Sequence, residues 1–293
     1  MSESSTEAVM PDRRSSAAVF SDLECRECRP AGKRRRGGTS CRHTGPAGRV
    51  DQVALHNIRR ANFPTTRVLV PASDTCLDLW YVDLDVSADA VRCFREWLSS
   101  DELAKAERFH SDAHRARYIV GRAALRGVLA ERLDCSPAAI RFSYGANGKP
   151  MLEGGRGHIE FNLAHSGGDA VIALADGAAV GVDIELLRPI ADVESLARLV
   201  FSDAERRELA LAPDPVSAFL NGWTRKEAYV KALGLGLTAP LTEIIVSLSD
   251  RARLLSTGLP DQAVSSWRLL NVPHPRALVA LALGPRLDGI RTT

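Results

Sequence analysis

A chain of 293 residues that is 45% hydrophobic and 25% charged has enough apolar content for a folded protein of two ordinary domains. Its formal net charge of +2 argues against binding polyanions through bulk charge, and its longest apolar run, near residues 278–283, is far shorter than the roughly 20 residues that a membrane-spanning helix needs. The N-terminus lacks the apolar core of a signal peptide and the six cysteines form no disulfide-like framework, so we expect a cytoplasmic protein.

The N-terminal segment differs in composition from the rest of the chain. It is rich in Ser, Arg, Gly and Pro and shows no sustained apolar period, so we predict a disordered basic extension over residues 1–64. Cys25 and Cys28 form a C-x-x-C pair that is followed by Cys41 and His43, and a zinc knuckle that binds nucleic acid is the alternative interpretation. The irregular spacing and the scarcity of apolar packing residues favour the extension.

From about residue 75 the chain becomes periodic, and its pattern occurs twice. The segment "LWYVDLDV", residues 79–86, is predicted to be a strand, and "VGVDIEL", residues 180–186, is similar to it. We interpret the two halves as related α+β units, residues 65–180 and 181–293.

Each of these strands is followed by a short predicted helix and a longer amphipathic one. The helical stretches are residues 98–109, 113–133, 200–209 and 216–233. Further strands are predicted at residues 140–144, 158–163, 169–175, 243–249 and 264–282. Helices on one face of a small sheet in each unit, with the units packed about a pseudo-twofold axis, predict an α+β fold that is complete as a monomer and has a ligand cleft between its halves.

Asp183 and Glu185 lie two positions apart in a predicted strand, so their side chains point to the same face. Val182 and Ile184 point to the other face. Two neighbouring carboxylates repel each other and need a nearby positive charge if they are buried. The alternative interpretation is a strand face that is exposed to solvent.

The helix predicted over residues 216–233 has a carboxylate, Glu227, on its apolar stripe. The rest of the stripe runs through Val216, Leu220, Trp223 and Val230. Lys231 follows Glu227 at i+4, and a surface ion pair is the commoner reason for that spacing. The place of Glu227 on the stripe favours a functional pair instead.

Asp183, Glu185 and Glu227 together provide three carboxylates on rigid elements. Oxygen ligands of this kind suit a hard cation such as Mg²⁺, with Mn²⁺ as an alternative. Lys231, one turn from Glu227, would then meet an anionic group held by the same metal. The pattern indicates a centre that handles phosphate groups.

These residues also carry a resemblance to a known family. "GVDIE", residues 181–185, followed by "WTRKEAYVKALGLGL", residues 223–237, resembles the signature pair of the 4'-phosphopantetheinyl transferases, and the double length of the chain is similar to their Sfp-type branch. Three other segments resemble the family in order and spacing, so that the similarity extends over roughly residues 75–284. They are "FHSDAHRARYIVGR" (109–122), "YGANGKPML" (144–152) and "FNLAHSGG" (161–168).

The resemblance implies transfer of the 4'-phosphopantetheine arm of coenzyme A to a serine of an apo acyl or peptidyl carrier protein, with release of adenosine 3',5'-bisphosphate. It implies that Mg²⁺ binds the pyrophosphate through Asp183, Glu185 and Glu227. Glu227 would also deprotonate the incoming serine, directly or through water, and Lys231 would stabilise the charge that develops on the pyrophosphate.

The resemblance also implies a set of contacts to coenzyme A, from Lys105, Arg115, Arg122, Lys149, His165 and Ser166. Four of them have a structural alternative: Lys149 as a lysine in a solvated turn, His165 as an incidental histidine in a turn between strands, and Arg115 and Arg122 as arginines on a solvated helix face. Ala164 departs from the family pattern, which often has Ser at this position, so one hydroxyl contact to the cofactor is expected to be missing. Two other functions remain as alternatives, a noncatalytic protein that binds carriers and a nucleic-acid-binding protein that acts through the N-terminal arm.

Overall fold

The structure, a computed structural model, describes residues 65–69, 77–154 and 159–286. The predicted extension, with its cysteines and His43, lies outside these ranges. Helices in the described ranges are Ala88–Arg95 (α1), Ser100–Ala106 (α2), Asp112–Leu133 (α3), Val193–Val200 (α4), Asp203–Ala210 (α5) and Pro215–Leu233 (α6). Strands there are Thr65–Leu69 (β1), Leu77–Asp83 (β2), Phe142–Tyr144 (β3), Pro150–Leu152 (β4), Ile159–Ser166 (β5), Asp169–Asp176 (β6), Ala178–Leu186 (β7), Ile244–Val246 (β8), Leu254–Thr257 (β9), Arg268–Asn271 (β10) and Ala277–Arg286 (β11).

Two antiparallel sheets contain most of the strands, in the orders β1-β2-β6-β5 and β7-β11-β10. β3 pairs with β4 and β8 with β9 as separate hairpins. The register places Tyr81 opposite Val171 in the first sheet and Asp183 opposite Ala280 in the second. The central strands are therefore β2 and β6 in the first sheet and β11 in the second.

The two sheets pack face to face between the two long helices. α3 covers the outer face of the first sheet, where Leu125 packs in one cluster with Phe161 and Ile172. The inner faces of the sheets meet in a second apolar layer that includes Leu79 and Val182, and α6 covers the outer face of the second sheet. The result is a layered α+β fold, as predicted. No helix of the described ranges is long and apolar enough to cross a membrane.

The order of elements is the same in both units. A strand is followed by three helices, a hairpin and two further strands, first from β2 to β6 and then from β7 to β11. β2, β6 and β5 of the first sheet correspond to β7, β11 and β10 of the second, with the same neighbours. This correspondence confirms the predicted duplication of an α+β unit.

Several element boundaries differ from the sequence prediction. β2 ends at Asp83, so Asp85 lies beyond the strand, and its backbone N–H donates to Asp83 Oδ1 at 2.9 Å. The segment predicted as one strand over residues 264–282 contains two, β10 and β11, that pair with each other. The predicted boundary between the units, residues 180 and 181, lies inside β7. The short elements α1, α4, β1, β4 and β9 were not predicted, because they span too few residues to show a period.

Serine caps begin the short helices α2 and α5 in the two units. Each is a Ser-x-x-Glu capping box, in which the glutamate accepts the serine backbone N–H: Glu102 from Ser99 at 3.0 Å, and Glu205 from Ser202 at 2.8 Å. Both glutamates are buried and form ion pairs with the long helix of their own unit. The repeated sequence pattern therefore fixes the same junction between helices twice.

Candidate active site

Asp183 and Glu185 lie on the face of β7 that packs against α6. The alternate residues Val180, Val182 and Ile184 lie in the apolar layer between the two sheets, as the pleat of a strand requires. Asp183 is 5% exposed and Glu185 is 6% exposed. A strand face exposed to solvent, the alternative interpretation, does not describe these buried carboxylates.

Gly181 allows α6 to approach β7 closely enough to bring its side chains to the two carboxylates. A Cβ on Gly181 would lie 2.1 Å from the carbonyl oxygen of Ala228 and 2.4 Å from the backbone nitrogen of Ala232. No residue with a side chain fits at that distance, so glycine is required here for the close contact. Glu185, further along the strand, meets Trp223, near the middle of the helix.

The opposite side of α6 is anchored by two charged residues that are fully buried, Arg225 and Lys226. The ammonium of Lys226 donates to the carbonyl oxygens of Val200 and Leu241, each at 2.7 Å, and to Glu205 Oε2 at 2.8 Å. Burial lowers the pKa of Lys226 to about 8, although Glu205 opposes the shift. This anchor fixes the rotation of α6, so the neighbouring Glu227 is turned away from the core.

Lys231 joins the helix to the strand. Its ammonium nitrogen lies 2.6 Å from Asp183 Oδ1 and 3.9 Å from Glu227 Oε2. The Glu227 and Lys231 side chains are 17% and 24% exposed, so the pair is neither a fully solvated surface pair nor a buried one. Asp183, Glu227 and Lys231 therefore form one charged group at the junction of β7 and α6.

Glu185 has a different environment from Asp183. Its carboxylate accepts hydrogen bonds from the indole N–H of Trp223 at 3.2 Å and from the hydroxyl of Ser166 at 3.1 Å. Burial, and next the charge of Asp183, raise the pKa of Glu185 to about 7, although both hydrogen bonds oppose the shift. The site thus holds more negative charge than its protein partners neutralise.

Ser166 belongs to a seam where β5 lies beside β7. Ser166 Oγ accepts the backbone N–H of Leu186 at 3.3 Å, and Asn162 Oδ1 accepts that of Val182 at 2.9 Å. Side chains of the first unit thereby replace ladder hydrogen bonds on the strand that carries the carboxylates. Sequence reasoning missed Asn162. The available signal was a polar side chain between two apolar residues inside the strand predicted over residues 158–163.

His165 and Ala164 point away from each other at the end of β5. His165 is exposed and lies in the strand, not in a turn as the sequence suggested. Ala164 is buried in the apolar layer between the sheets. A serine at position 164 would place its hydroxyl in that layer, so in this structure Ala164 is a packing residue.

Lys105 and Arg115 lie on the α2 and α3 side of the first unit. Lys105 is exposed, with its ammonium 5.5 Å from the centre of the Tyr118 ring. The guanidinium of Arg115 donates to the carbonyl oxygen of Phe109 at 3.0 Å and also pairs with Asp112. Their predicted contact with coenzyme A stays a prediction.

Arg122 and Lys149 are bound by other parts of the protein. Arg122 donates to Glu102 Oε1 at 2.7 Å, and the buried Arg126 donates to Glu102 Oε2 at the same distance. Lys149 donates to the carbonyl oxygen of Ala232 at 2.8 Å. The structural alternatives, a solvated turn and a solvated helix face, therefore do not describe these two side chains. Direct contact of either with coenzyme A stays a prediction.

Sequence reasoning missed the buried charges that support the site, Glu102 with Arg126 and Glu205 with Lys226. The Ser-x-x-Glu pattern at the start of each short helix was the available signal, because it predicts a capping box that fixes the position of each glutamate. Arg225 gave no such signal. It donates to the carbonyl oxygen of Ser247 at 2.6 Å, and the spacing of these two residues shows no pattern.

The carboxylates fit a hard cation by their chemistry. Among the described residues, no three His, Cys, Asp or Glu side chains are arranged as an assembled metal centre. The donors at the junction are nevertheless all carboxylate oxygens, and the pKa of Glu185 is raised partly because Asp183 lies beside it. A divalent cation would remove that repulsion and satisfy the excess negative charge.

A surface cavity of about 280 Å³ lies elsewhere, among α4, α5 and the start of α6. Val193, Ala197, Leu209 and Pro215 give it a mainly apolar lining. None of the predicted site residues lines it. We therefore place the candidate active site at the charged junction of β7 and α6, where the predicted carboxylates and Lys231 meet, and not at this cavity.

Comparison with known proteins gives matches to both units. Residues 179–282 match the family described as the 4'-phosphopantetheinyl transferase superfamily, and residues 86–176 match the family described as 4'-phosphopantetheinyl transferase, N-terminal. The chain is 38% identical over 215 residues to 4'-phosphopantetheinyl transferase HetI of Nostoc sp., an alignment that covers 70% of this chain and 86% of HetI. It is 32% identical over 186 residues to 4'-phosphopantetheinyl transferase Sfp of Bacillus subtilis strain 168, which covers 62% of this chain and 80% of Sfp.

Proposed function

Because the chain belongs to the 4'-phosphopantetheinyl transferase superfamily, we propose that it transfers the 4'-phosphopantetheine arm of coenzyme A to a serine of an apo acyl or peptidyl carrier protein. The second product is adenosine 3',5'-bisphosphate. The observation that carries this proposal is the charged group at the junction of β7 and α6, in which Lys231 lies 2.6 Å from Asp183 and 3.9 Å from Glu227. In that arrangement Lys231 can stabilise an anionic leaving group, and Glu227 can accept a proton.

The proposed reaction is an in-line displacement at phosphorus. The serine oxygen forms a new bond to the phosphorus that carries the pantetheine arm, and the bond from that phosphorus to the bridging oxygen of the pyrophosphate breaks. The electron pair of the broken bond stays on the leaving phosphate of adenosine 3',5'-bisphosphate. The serine proton is the only proton that must be removed.

Glu227 is the proposed acceptor of the serine proton, directly or through one water. Its side chain is 17% exposed, in contrast to the more deeply buried Asp183, so a hydroxyl group from a partner protein has better access to Glu227. The ionised carboxylate is the form that accepts a proton, and Glu227 Oε2 lies 3.9 Å from the ammonium of Lys231.

Lys231 is the proposed electrostatic stabiliser of the leaving group. Negative charge grows on the bridging oxygen as the bond breaks, and a lysine that is fixed beforehand stabilises that charge without reorganising at the moment of reaction. Asp183 holds the ammonium in place through the 2.6 Å contact.

Asp183, Glu185 and Glu227 would hold Mg²⁺, or Mn²⁺ in its place. When bound, the cation would neutralise the pyrophosphate oxygens and help to orient them. Trp223 and Ser166 hold the carboxylate of Glu185 in a fixed orientation by hydrogen bonds at 3.2 and 3.1 Å.

Coenzyme A carries a pyrophosphate and a 3'-phosphate, so its binding requires several cationic or hydrogen-bonding groups. We propose Lys105, Arg115 and His165 as direct contacts, because in this structure His165 and Lys105 are exposed and Arg115 is partly so. Ser166 supports the site through Glu185. Arg122 and Lys149 would reach the cofactor only in addition to their contacts with Glu102 and Ala232.

Intact-mass measurement tests the proposal. The purified protein is incubated with coenzyme A, Mg²⁺ and a panel of apo acyl and peptidyl carriers, and at least one carrier should gain the mass of one phosphopantetheine. The same carrier with its acceptor serine replaced by alanine is the matched control and should gain nothing. A panel in which carriers bind but none is modified would favour the noncatalytic alternative.

A further inference from the structure

The carbonyl groups at the C-terminal end of α6 accept hydrogen bonds partly from the residues that follow the helix and partly from the first unit. Gly234 N–H donates to the carbonyl of Lys231 at 3.3 Å and Leu235 N–H to that of Val230 at 3.2 Å, a Schellman arrangement. The carbonyl of Ala232, the next one along the helix, accepts its hydrogen bond from Lys149 Nζ at 2.8 Å instead. A residue of the first unit therefore binds the last turn of the helix that carries Glu227 and Lys231.

Asn147 makes a second contact of the same kind. Its side-chain amide Nδ2 donates to the carbonyl oxygen of Gly234 at 2.9 Å. Asn147 and Lys149 belong to the turn between β3 and β4, in which Gly145 N–H donates to the carbonyl of Lys149 at 2.9 Å. Two side chains of one closed turn thus bind two backbone carbonyls at the end of α6.

The helix end is shaped to receive this turn. Gly234 and Gly236 both have positive φ, 68° and 58°. A Cβ on Gly236 would lie 3.2 Å from Asn147 Cβ, and one on Gly234 would lie 3.3 Å from Lys149 Cδ. Glycine at both positions permits the left-handed backbone and the close approach of the turn together.

The charge of Lys149 suits its position. Backbone carbonyls at a helix C-terminus carry partial negative charge, and a nearby ammonium stabilises them. Glu160 Oε2, at 3.5 Å, provides a second acceptor for the ammonium and opposes the fall in the pKa of Lys149 that burial causes. The contact is thus an electrostatic bridge between β5 of the first unit and α6 of the second.

We propose that Asn147 and Lys149, in the turn between β3 and β4, form a positioning clamp for α6, which holds the helix end so that Glu227 and Lys231 keep their places at Asp183. Ala232 follows Lys231 directly, so a shift of the last turn moves the catalytic lysine. The proposal rests on the proposed function for its catalytic consequence. It makes Asn147 and Lys149 positioning residues that act from the other half of the chain.

Asn147 gives the cleaner test, because a change at Lys149 would also remove a predicted contact with coenzyme A. Asn147→Asp keeps the shape of the side chain but replaces the amide donor by a carboxylate that faces the carbonyl of Gly234. Ala146→Asp is the matched control, since it adds the same charge one residue away and leaves Asn147 in place; position 146 is exposed. Asn147→Ala removes the donor without adding charge.

Two readouts are measured on the full-length protein. Hydrogen–deuterium exchange of the backbone amides of residues 228–235 should be at least about fivefold faster in both Asn147 variants than in the wild type and in Ala146→Asp, because the last turn opens more often. The kcat of carrier modification should fall about tenfold in both variants while the KM for coenzyme A stays within about twofold, since a displaced catalytic group affects the transition state more than ground-state binding.

The outcomes separate the clamp from the proposed function. Unchanged exchange in both Asn147 variants would overturn the clamp, and faster exchange with unchanged kcat would overturn its positioning role. A rise in the KM for coenzyme A at constant kcat would assign the turn to cofactor binding, and the positioning role would be overturned as well. If the wild type modified no carrier, the proposed function would fail, while the exchange measurement would still decide whether the turn holds the helix.

Discussion

The ammonium of Lys231 lies 2.6 Å from the carboxylate of Asp183, a residue 48 positions away in the sequence. Glu227, one turn away on the same helix, is 3.9 Å from the same nitrogen. The i+4 spacing is therefore not the main interaction of this lysine. Lys231 connects α6 to the strand with the buried carboxylates, so its loss should affect both elements.

Replacing Lys231 by methionine should lower turnover at saturating carrier by at least about a hundredfold, because the leaving group loses its cation. The free energy of unfolding should also fall, by about 1–3 kcal/mol, since the buried Asp183 loses its closest positive partner. Steady-state kinetics and urea unfolding measure the two effects. Normal turnover in this variant would show that Lys231 has a structural role only.

Binding of Mg²⁺ should raise the melting temperature of the protein in the absence of coenzyme A. The expected stabilisation is about 2.7 kcal/mol at a hundred times the Kd, because the cation binds the folded state only. Asp183→Asn and Glu185→Gln should each reduce the shift strongly.

Asp85→Asn is the matched control for the metal experiment. Asp85 corresponds to Glu185 in the repeated sequence pattern, but it pairs with Arg117 at 2.6 and 2.9 Å and lies outside the proposed site. The variant should keep the full Mg²⁺-dependent shift. Equal shifts in Asp85→Asn, Asp183→Asn and Glu185→Gln would contradict the assignment of the metal ligands.

Gly181→Ala should destabilise the protein by about 3 kcal/mol or more, because the added methyl group would overlap the Ala228 carbonyl and push α6 away from β7. Turnover should fall with the displaced helix. Gly121→Ala in α3 is the control, since its Cβ would meet only Leu84, at an ordinary 3.6 Å, and alanine favours a helix. In thermal melts, the melting temperature should therefore fall strongly for Gly181→Ala and stay unchanged or rise for Gly121→Ala.

Glu205→Ala should cost about 3–5 kcal/mol, because it leaves the fully buried Lys226 ammonium without its carboxylate. Denaturant unfolding measures the loss. The exposed pair of Glu194 and Arg198 on α4 provides the comparison, and Glu194→Ala should leave the melting temperature unchanged within error. Similar losses in both variants would show that burial does not decide the strength of these pairs.

Deletion of residues 1–64 should leave turnover at saturating carrier unchanged, because every residue with a proposed catalytic role lies beyond position 100. A salt-sensitive fall in kcat/KM would be consistent with a basic arm that attracts an acidic carrier. Metal analysis of the full-length protein should find no stoichiometric zinc. One tightly bound zinc per chain, together with loss of transfer or of DNA binding on deletion, would instead make the segment a functional module.

Local pattern was sufficient for much of the fold and for selecting the candidate site residues that the structure brings together. The period of two in residues 180–186 placed Asp183 and Glu185 on one face, and the helical period placed Glu227 and Lys231 one turn apart. The repeat predicted two units, because the same order of strand and helices occurs twice. These properties depend on residues a few positions apart, and for such residues the periodicity of a strand or helix gives the relative direction of the side chains.

The tertiary structure alone decided which partner each charged residue meets. Lys149 reaches the carbonyl of Ala232, 83 positions away, and Lys226 is buried against Glu205, 21 positions away. Such contacts depend on how closely the elements pack. Between β7 and α6, for example, the distance is limited at Gly181, where a backbone carbonyl leaves no space for a side chain. Sequence periodicity fixes the face on which a side chain lies, whereas its distance from a group on another element exists only after the two elements have packed.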